Sequence, residues 1–211
     1  MQATIDSRLS MFSQWRGEGA RKDDGLALWT LMTTCETGSS VGLAWLGQLC
    51  KSSVTTNSDD GSFVSGANIV AKTPMEWKVL AHEIGHTMGA VHDCTSDTCT
   101  GTTMQASMCC PLNKGTCNAG GGFIMNPSTS DKIQAFSACT IGNICSAFDR
   151  NSVDNSCLRS NRDVQILTEK ECGNGIVEEG EDCDCGDAES CAGDSCCNPE
   201  TCKFADNAVC E

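Results

Sequence analysis

Three histidines and a glutamate between residues 82 and 92 have the types and spacing of a catalytic metal site. His82 and His86 are four residues apart, and His92 follows six residues later. Residues four apart in a helix lie on one face, so His82 and His86 can direct their imidazole nitrogens at one ion. Imidazole is a good ligand for zinc. Glu83 lies beside His82, where its carboxylate can hold a water molecule rather than the metal.

This arrangement predicts hydrolysis of a peptide bond by a zinc-activated water. Three neutral imidazoles leave Zn²⁺ with its full charge and an open position, and the ion lowers the pKa of the water there toward about 7. Glu83 is predicted to take the proton as general base and to deliver it to the leaving amine. All three histidines of the chain are in this motif, which makes accidental spacing a poor explanation.

A helix followed by a sharp turn must position these residues. Thr73, Pro74 and Glu76 match a helix start, with Thr73 as the capping residue of an S/T-x-x-E capping box. Gly89 can adopt a positive φ angle, so we expect it to end the helix and reverse the chain. His92 would then return to the same ion as the third ligand.

The other elements are less clearly marked. Apolar residues spaced three to four apart predict a helix over 6–15. Short apolar runs over 26–32, 41–46 and 64–71 predict strands. The stretch 96–122 is rich in Thr, Gly and Cys, and we expect it to be a long loop tied by disulfides.

Composition limits the class of protein. The chain has 211 residues, 18 of them cysteine, and a net charge of −14. The cysteines favour an oxidising compartment, their even number favours full pairing, and the acidic balance argues against nucleic acid as a partner. No apolar run is long enough to span a bilayer, and the first residues lack the apolar segment of a signal peptide. We therefore expect an internal fragment of a longer secreted or cell-surface protein, with a single membrane span in that parent as one alternative.

The last fifth of the chain differs from the rest. Residues 169–211 contain 13 Asp and Glu, two Lys and eight Cys. Aliphatic residues are too few there for a large core, so disulfides or metal must hold this part together. We predict a first domain over 1–160, a linker over 161–170 and a small second domain over 171–211.

The histidine motif extends to H-E-x-x-H-x-x-G-x-x-H-D over 82–93, the metzincin pattern, in which a downstream methionine turn lies beneath the metal. Met125, in GFIMNP, is placed to form that turn. Further segments follow in order: FSQWRG at 12–17, VGLAWLGQLC at 41–50, FSAC at 136–139 and ECGNGIVEEGEDCDCG at 171–186. Through these segments the chain resembles the ADAM/reprolysin family, adamalysin-type metalloproteases with a disintegrin-like domain, and is similar to the fungal type.

The resemblance implies an α/β fold. A zincin-like metzincin catalytic domain, with a twisted mixed sheet and helices but without its N-terminal strands, would precede the first half of a disulfide-rich disintegrin-like domain. The edge strand of the sheet would pair with an extended substrate. Residues 126–130 would wall the pocket for the side chain that follows the cleaved bond. The implied substrate strand comprises Gly42, Leu43, Ala44 and Trp45.

The resemblance also implies covalent and ionic links. Cys50 would pair with Cys157, and Cys139 with either Cys94 or Cys99. A structural calcium ion would bind in the second domain, because short acidic segments offer the oxygen ligands that calcium prefers. Its side-chain ligands would be Asn174, Glu178, Glu181 and Asp184.

The function implied is that of a zinc metalloendopeptidase acting on secreted or cell-surface proteins. A function of another class is adhesion, with a silent protease domain and a disintegrin-like part that binds a cell-surface receptor. A third alternative is a fragment without activity of its own. The change Glu83→Gln distinguishes the first two, because it should abolish cleavage and leave adhesion intact.

Overall fold

The computed structural model describes residues 4–19, 22, 24–100, 103–104, 108–158, 172–173, 177, 180–185, 191, 196–205 and 208. The chain divides into two units, 1–158 and 159–211. The predicted linker over 161–170 lies outside the described residues. The helices are α1 (Ile5–Arg16), α2 (Glu76–Thr87) and α3 (Ala138–Asp149). The strands are β1 (Trp29–Thr33), β2 (Gly42–Ala44), β3 (Thr55–Thr56), β4 (Phe63–Val64), β5 (Ala67–Ala71), β6 (Cys99–Thr100), β7 (Thr103–Met104), β8 (Cys197–Asn198) and β9 (Lys203–Phe204).

A mixed sheet of three strands, in the order β1-β5-β2, lies at the centre of the first unit. β5 runs parallel to β1 and antiparallel to β2. All five residues of β5 are buried, as expected for a central strand covered on both faces. The α/β architecture with a mixed sheet is confirmed, and β2 forms one edge of that sheet.

Helices α1 and α2 cover opposite faces of the sheet. Ile5 and Leu9 of α1 form a core cluster with Ala67 and Ile69 of β5. Asn68, between those two strand residues, donates from Nδ2 to Thr87 Oγ1 of α2 at 3.5 Å. Because successive side chains of a strand point to opposite faces, the two helices sandwich β5. The predicted helix over 6–15 is confirmed, whereas the run 64–71 is divided by a bend at 65–66.

Helix α2 begins later than its capping pattern predicts. Its N-cap is Met75, with no side-chain capping bond, and the first helical hydrogen bonds run from Lys78 N and Val79 N to Met75 O. Thr73 Oγ1 instead accepts from Met75 N at 3.3 Å. The predicted capping box is therefore wrong, because Thr73 closes a local turn before the helix and does not reach the second or third helical amide.

Disulfides hold the stretch after the histidine motif. The structure joins Cys94 to Cys109 and Cys99 to Cys117, and their sulfurs form a buried cluster. Cys139 is bonded to Cys110, so the expected pairing with Cys94 or Cys99 is wrong. Both of those cysteines are already used within the loop, and Cys110 is the one that lies beside α3.

A further disulfide joins Cys50 to Cys157, 107 residues apart. Cys35 and Cys145 are free and exposed, so the expectation of full pairing within this chain is wrong. Among the described residues, no helix has both the length and the apolar character needed to cross a bilayer.

The second unit consists, where it is described, of turns, a short hairpin and disulfides. β8 and β9 pair antiparallel. Three disulfides link Cys172 to Cys202, Cys183 to Cys197 and Cys185 to Cys191. Small domains without a large apolar core are commonly stabilised in this way.

Candidate active site

Helix α2 and the turn after it bring the three histidines together. His82, Glu83 and His86 lie on α2, which ends at Thr87. Gly89 has φ +95°, and this turn returns the chain so that His92 faces the helix. The Nε2 atoms of His82 and His86 are each 3.1 Å from His92 Nε2. Two nitrogens bound to one zinc ion at about 2.0–2.1 Å in tetrahedral geometry lie about 3.3 Å apart.

Backbone carbonyls fix the tautomers of the two helical histidines. His82 Nδ1 is 2.6 Å from Ile124 O, and His86 Nδ1 is 2.8 Å from Ala90 O. A carbonyl oxygen can only accept, so each Nδ1 must carry the proton, and each neutral ring then presents a bare lone pair at Nε2. Two bare lone pairs directed at one point repel each other unless a cation lies between them. The donor set therefore fits a metal ion, and the carbonyls orient its ligands.

Burial keeps these rings neutral. Desolvation, together with the neighbouring ring His82, lowers the pKa of His86 to about 4. Desolvation and His86 likewise lower the pKa of His92 to about 4. Burial also lowers the pKa of His82. Neutral imidazole is the form that binds a metal, so all three rings are ready to act as ligands at neutral pH.

Two other groups of candidate ligands do not fit a metal. Cys94, Cys99 and Cys117 lie close together, as do Cys172, Glu181 and Cys202. The cysteines of both groups are in disulfides, and a disulfide sulfur is no thiolate ligand. Within the described part of the chain, the histidine cluster is the group with its donors available.

Glu83 and Gly42 are in close contact where α2 packs against β2. Glu83 is buried, and desolvation raises the pKa of its carboxyl group to about 8. A Cβ atom built at Gly42 would overlap Glu83 Oε1 and lie 2.7 Å from its carboxyl carbon. A side chain of any size at position 42 would therefore displace this carboxylate. The sequence assigned Gly42 to substrate binding, and the structure adds that it makes room for Glu83.

The turn at Met125 packs against the helix that carries His82 and His86. Met125 is fully buried in a cluster with Ala90, Ile124 and Ile133. Its sulfur fills the space beside Gly85, where a Cβ would lie 2.6 Å from Sδ. Asp93 N donates to Met125 O at 2.9 Å. The turn thus contacts the chain on both sides of the metal ligands, through Ile124 O at His82 and through Met125 O just after His92.

The third histidine is held by a second set of contacts that the sequence does not reveal. Cys110 N donates to His92 O at 2.8 Å, and Cys94 N donates to Cys110 O at 2.7 Å. Asp93 is buried, and its Oδ1 accepts from the Ser137 hydroxyl at 2.6 Å. Ser137 is the N-cap of α3. Burial raises the pKa of Asp93, while the hydrogen bonds from Ser137 and Thr140 lower it.

An open cleft of about 780 Å³ runs past the histidines between β2 and the segment after Met125. The cleft is lined by Gly42, Leu43 and Ala44, three of the four residues of the predicted substrate strand. Trp45 does not line it, because its ring packs against the α1 core cluster and its Nε1 donates to Ser13 Oγ at 2.7 Å. The opposite wall is formed by Asn126, Pro127, Ser128 and Thr129.

The predicted ligands of the calcium site lie in the second unit. Asn174 and Glu178 are outside the described residues. Glu181 and Asp184 are described, and Asp184 Oδ2 accepts a hydrogen bond from Gly173 N at 2.9 Å.

Comparison with known proteins places the chain in a family. The profile of metallo-peptidase family M12 matches residues 1–137. The chain is 57 % identical over 211 residues to disintegrin and metalloproteinase domain-containing protein B of Aspergillus fumigatus, covering all of this chain and 26 % of that protein. It is 33 % identical over 224 residues to zinc metalloprotease mde10 of Schizosaccharomyces pombe, covering 99 % of this chain and 42 % of that protein.

A relative of lower identity also has both metalloproteinase and disintegrin in its name. Snake venom metalloproteinase-disintegrin-like mocarhagin of Naja mossambica is 30 % identical over 216 residues, which cover all of this chain and 30 % of that protein. The chain spans about a quarter of the length of the fungal disintegrin and metalloproteinase proteins that it matches. The histidine cluster, the Met125 turn and the matching profile lead to one conclusion: the chain belongs to metallopeptidase family M12, the ADAM/reprolysin family that its sequence resembles.

Proposed function

We propose that the chain is a zinc endopeptidase in which His82, His86 and His92 hold the metal and Glu83 is the general base. One observation carries the proposal. The Nε2 atoms of the three histidines converge in the same cleft as the buried Glu83 carboxylate. A ligand set with an adjacent base is what metal-assisted hydrolysis requires.

The residues of the cleft have separate roles in this reaction. Zinc, when held by three imidazoles, supplies a Lewis acid that acidifies water and polarises a carbonyl group. Glu83 accepts a proton from the attacking water and delivers it to the leaving amine. Gly42 leaves space for the Glu83 carboxylate. The unpaired edge of β2 hydrogen-bonds to an extended substrate and holds it across the histidines.

The substrates we propose are extended segments of secreted or cell-surface proteins. An edge strand recognises main-chain groups, so it requires an extended chain rather than a folded surface. The seven disulfides of the described residues indicate an oxidising compartment. One relative is named as a snake venom protein, which supports a secreted environment.

Two further roles are proposed for the second unit on the strength of the resemblance alone. One is a structural calcium ion bound by Asn174, Glu178, Glu181 and Asp184. The other is binding of a cell-surface receptor by the longer disintegrin-like domain. Titration with Ca²⁺ should raise the thermal unfolding midpoint of the chain. Asp184→Asn should reduce that rise. The control Asp182→Asn, which removes an exposed carboxylate paired with Lys203, should leave the rise unchanged.

Cleavage of an unfolded protein by the oxidised, zinc-loaded chain tests the enzyme proposal. We expect Glu83→Gln to lower the rate by about 10²–10⁴-fold, the usual contribution of a general base, and to leave bound zinc at one ion per chain. Glu76→Gln, on the first turn of the same helix, is the matched control and should cleave normally. A chelator should abolish cleavage, and added zinc should restore it.

Two results would reject the proposal. If the Glu83→Gln variant cleaves at the normal rate, Glu83 is not the general base. A folded chain that binds zinc and cuts nothing would favour the adhesive function instead.

A further inference from the structure

Lys78 is a buried lysine on the first turns of α2, close to the cleft but outside the metal site. Its side chain is 7 % exposed. Its Nζ donates to Ser130 O at 3.0 Å and to Asp131 O at 3.1 Å. Among the described residues, no carboxylate pairs with it. A buried ammonium group is costly unless its protons are satisfied, so two carbonyl groups of one loop provide much of its solvation.

The two carbonyls belong to the wall of the cleft opposite β2. This wall, defined here as residues 126–131, starts after the buried Met125 and ends before the buried Ile133. Its other hydrogen bonds between described residues are local: Asn126 N to Phe123 O, Asn126 Nδ2 to Ser128 O, and Ile133 N to Ser130 O. Lys78 therefore supplies the hydrogen bonds that join the C-terminal end of this wall to α2.

The wall and α2 line the same cleft. Val79 of α2 and Asn126–Thr129 are both among the lining residues. The neighbour of Val79, Lys78, binds the carbonyl groups of Ser130 and Asp131, directly after that lining segment. Bonds from a charged donor are shorter and stronger than bonds between neutral groups, so they hold the wall at a fixed distance from α2.

We infer that Lys78 is a positioning residue that sets the width of the substrate pocket by tethering wall 126–131 to α2. The inference rests on the proposed function, since it specifies which part of that site selects the substrate side chain. Lys78 contacts neither the metal ligands nor Glu83 in this role. Its removal should change which side chain is preferred, and should leave the chemistry of the best substrate nearly unchanged.

The test compares three variants of the oxidised, zinc-loaded chain. Lys78→Met keeps the length of the side chain and removes the donors, Lys78→Arg keeps the donors, and Lys132→Met changes an exposed lysine next to the wall. Peptides that differ only in the residue after the cleaved bond report selectivity. We expect Lys78→Met to change the ratio of kcat/KM between a large and a small side chain by at least about fivefold. The effect should be mainly in KM, with Lys78→Arg close to the parent and Lys132→Met unchanged.

Hydrogen exchange gives a readout that does not need activity. Amides of 126–131 should exchange about tenfold faster in Lys78→Met than in the parent, and amides of 81–87 should be unaffected. If the zinc-loaded chain cuts no peptide, the proposed function fails while this measurement still decides the role of Lys78. If Lys78→Met does not fold, Lys78→Gln, with a shorter donor, replaces it under the same criteria. Unchanged exchange of the wall, or an equal fall of kcat/KM for every peptide, would overturn the inference.

Discussion

The histidine segment 82–93 and the segment 94–117 adjoin in the chain but are held in place by different forces. In the first, backbone hydrogen bonds orient His82 and His86, and Met125 packs beneath them. In the second, the buried cluster consists of cysteine sulfurs, and two disulfides lie within the segment.

The difference reflects what each segment has to achieve. The atoms of a metal ligand must be held to within a fraction of an ångström. Packing around the ring and a hydrogen bond to its second nitrogen together fix its position and orientation. Segment 94–117 has few large apolar side chains to bury, so a covalent link that restricts the unfolded chain is the more effective stabiliser. We therefore expect changes to Cys50–Cys157 or to the disulfides within 94–117 to lower stability, and changes to the packing around the histidines to lower function.

The largest expected effect comes from the longest covalent link. Cys50 and Cys157 close a loop of 107 residues, and the double change Cys50→Ser/Cys157→Ser should lower the free energy of unfolding by about 4–5 kcal/mol, as a loop of that length implies. Urea denaturation measures it. Cys145→Ser, at an exposed free thiol, is the control and should change stability by less than about 0.5 kcal/mol.

Removal of a short link should cost less and leave the metal site intact. Cys94 and Cys109 are 15 residues apart, so Cys94→Ser/Cys109→Ser should lower the free energy of unfolding by about 3 kcal/mol. Bound zinc, measured by elemental analysis of the folded protein, should stay at one ion per chain. A folded variant that has lost its zinc would show that the two segments are not independent.

Gly42→Ala changes the packing around the base and should act mainly on function. The new Cβ overlaps the Glu83 carboxylate, and a displacement of about 1 Å at a reacting group can lower the rate about 10²-fold. Steady-state cleavage and zinc content are the measurements. Gly122→Ala is the control, because a Cβ there meets nothing within 4 Å. Near-normal cleavage by Gly42→Ala would mean that Glu83 tolerates a shift.

The smallest expected effect is at Gly85. A Cβ at this position lies 2.6 Å from Met125 Sδ, and overpacking of this kind costs about 1–3 kcal/mol. Alanine is favoured over glycine in a helix by about 1 kcal/mol, so Gly85→Ala should lower stability by a net of about 1 kcal/mol. Adding Met125→Val, which shortens the side chain, should recover part of the cost in a thermal melt. No recovery would show that the contact at Met125 is not the cause.

The sequence predicts the convergence of the three histidines, because helical periodicity and one glycine determine it. His82 and His86 share a face by spacing alone, and Gly89 is the residue type that the observed φ of +95° requires. Residue spacing does not encode contacts between distant segments. The pairing of Cys139, the tether at Lys78 and the hydrogen bond from Ser137 to Asp93 each join residues at least 29 positions apart.

Local competition explains the remaining errors. Thr73 satisfies its hydroxyl with Met75 N, an interaction as compatible with the sequence as the capping box. Trp45 lies in the predicted strand run, yet its indole finds a partner in Ser13 on α1. The orientation of the Trp45 side chain depends on where α1 packs, so it could not be predicted from the strand residues alone.

The hydrogen bond from Cys110 N to His92 O should make metal uptake depend on the compartment in which the protein is made. Cys110 is anchored to α3 by its bond to Cys139, and it holds the backbone of His92, the proposed third ligand. A chain synthesised in a reducing cytosol has the two helical histidines but lacks this anchor, so it should take up zinc poorly. We therefore expect oxidation to precede metal uptake, and a low metal content in preparations from a bacterial cytosol would then reflect reduced thiols rather than a defective histidine motif.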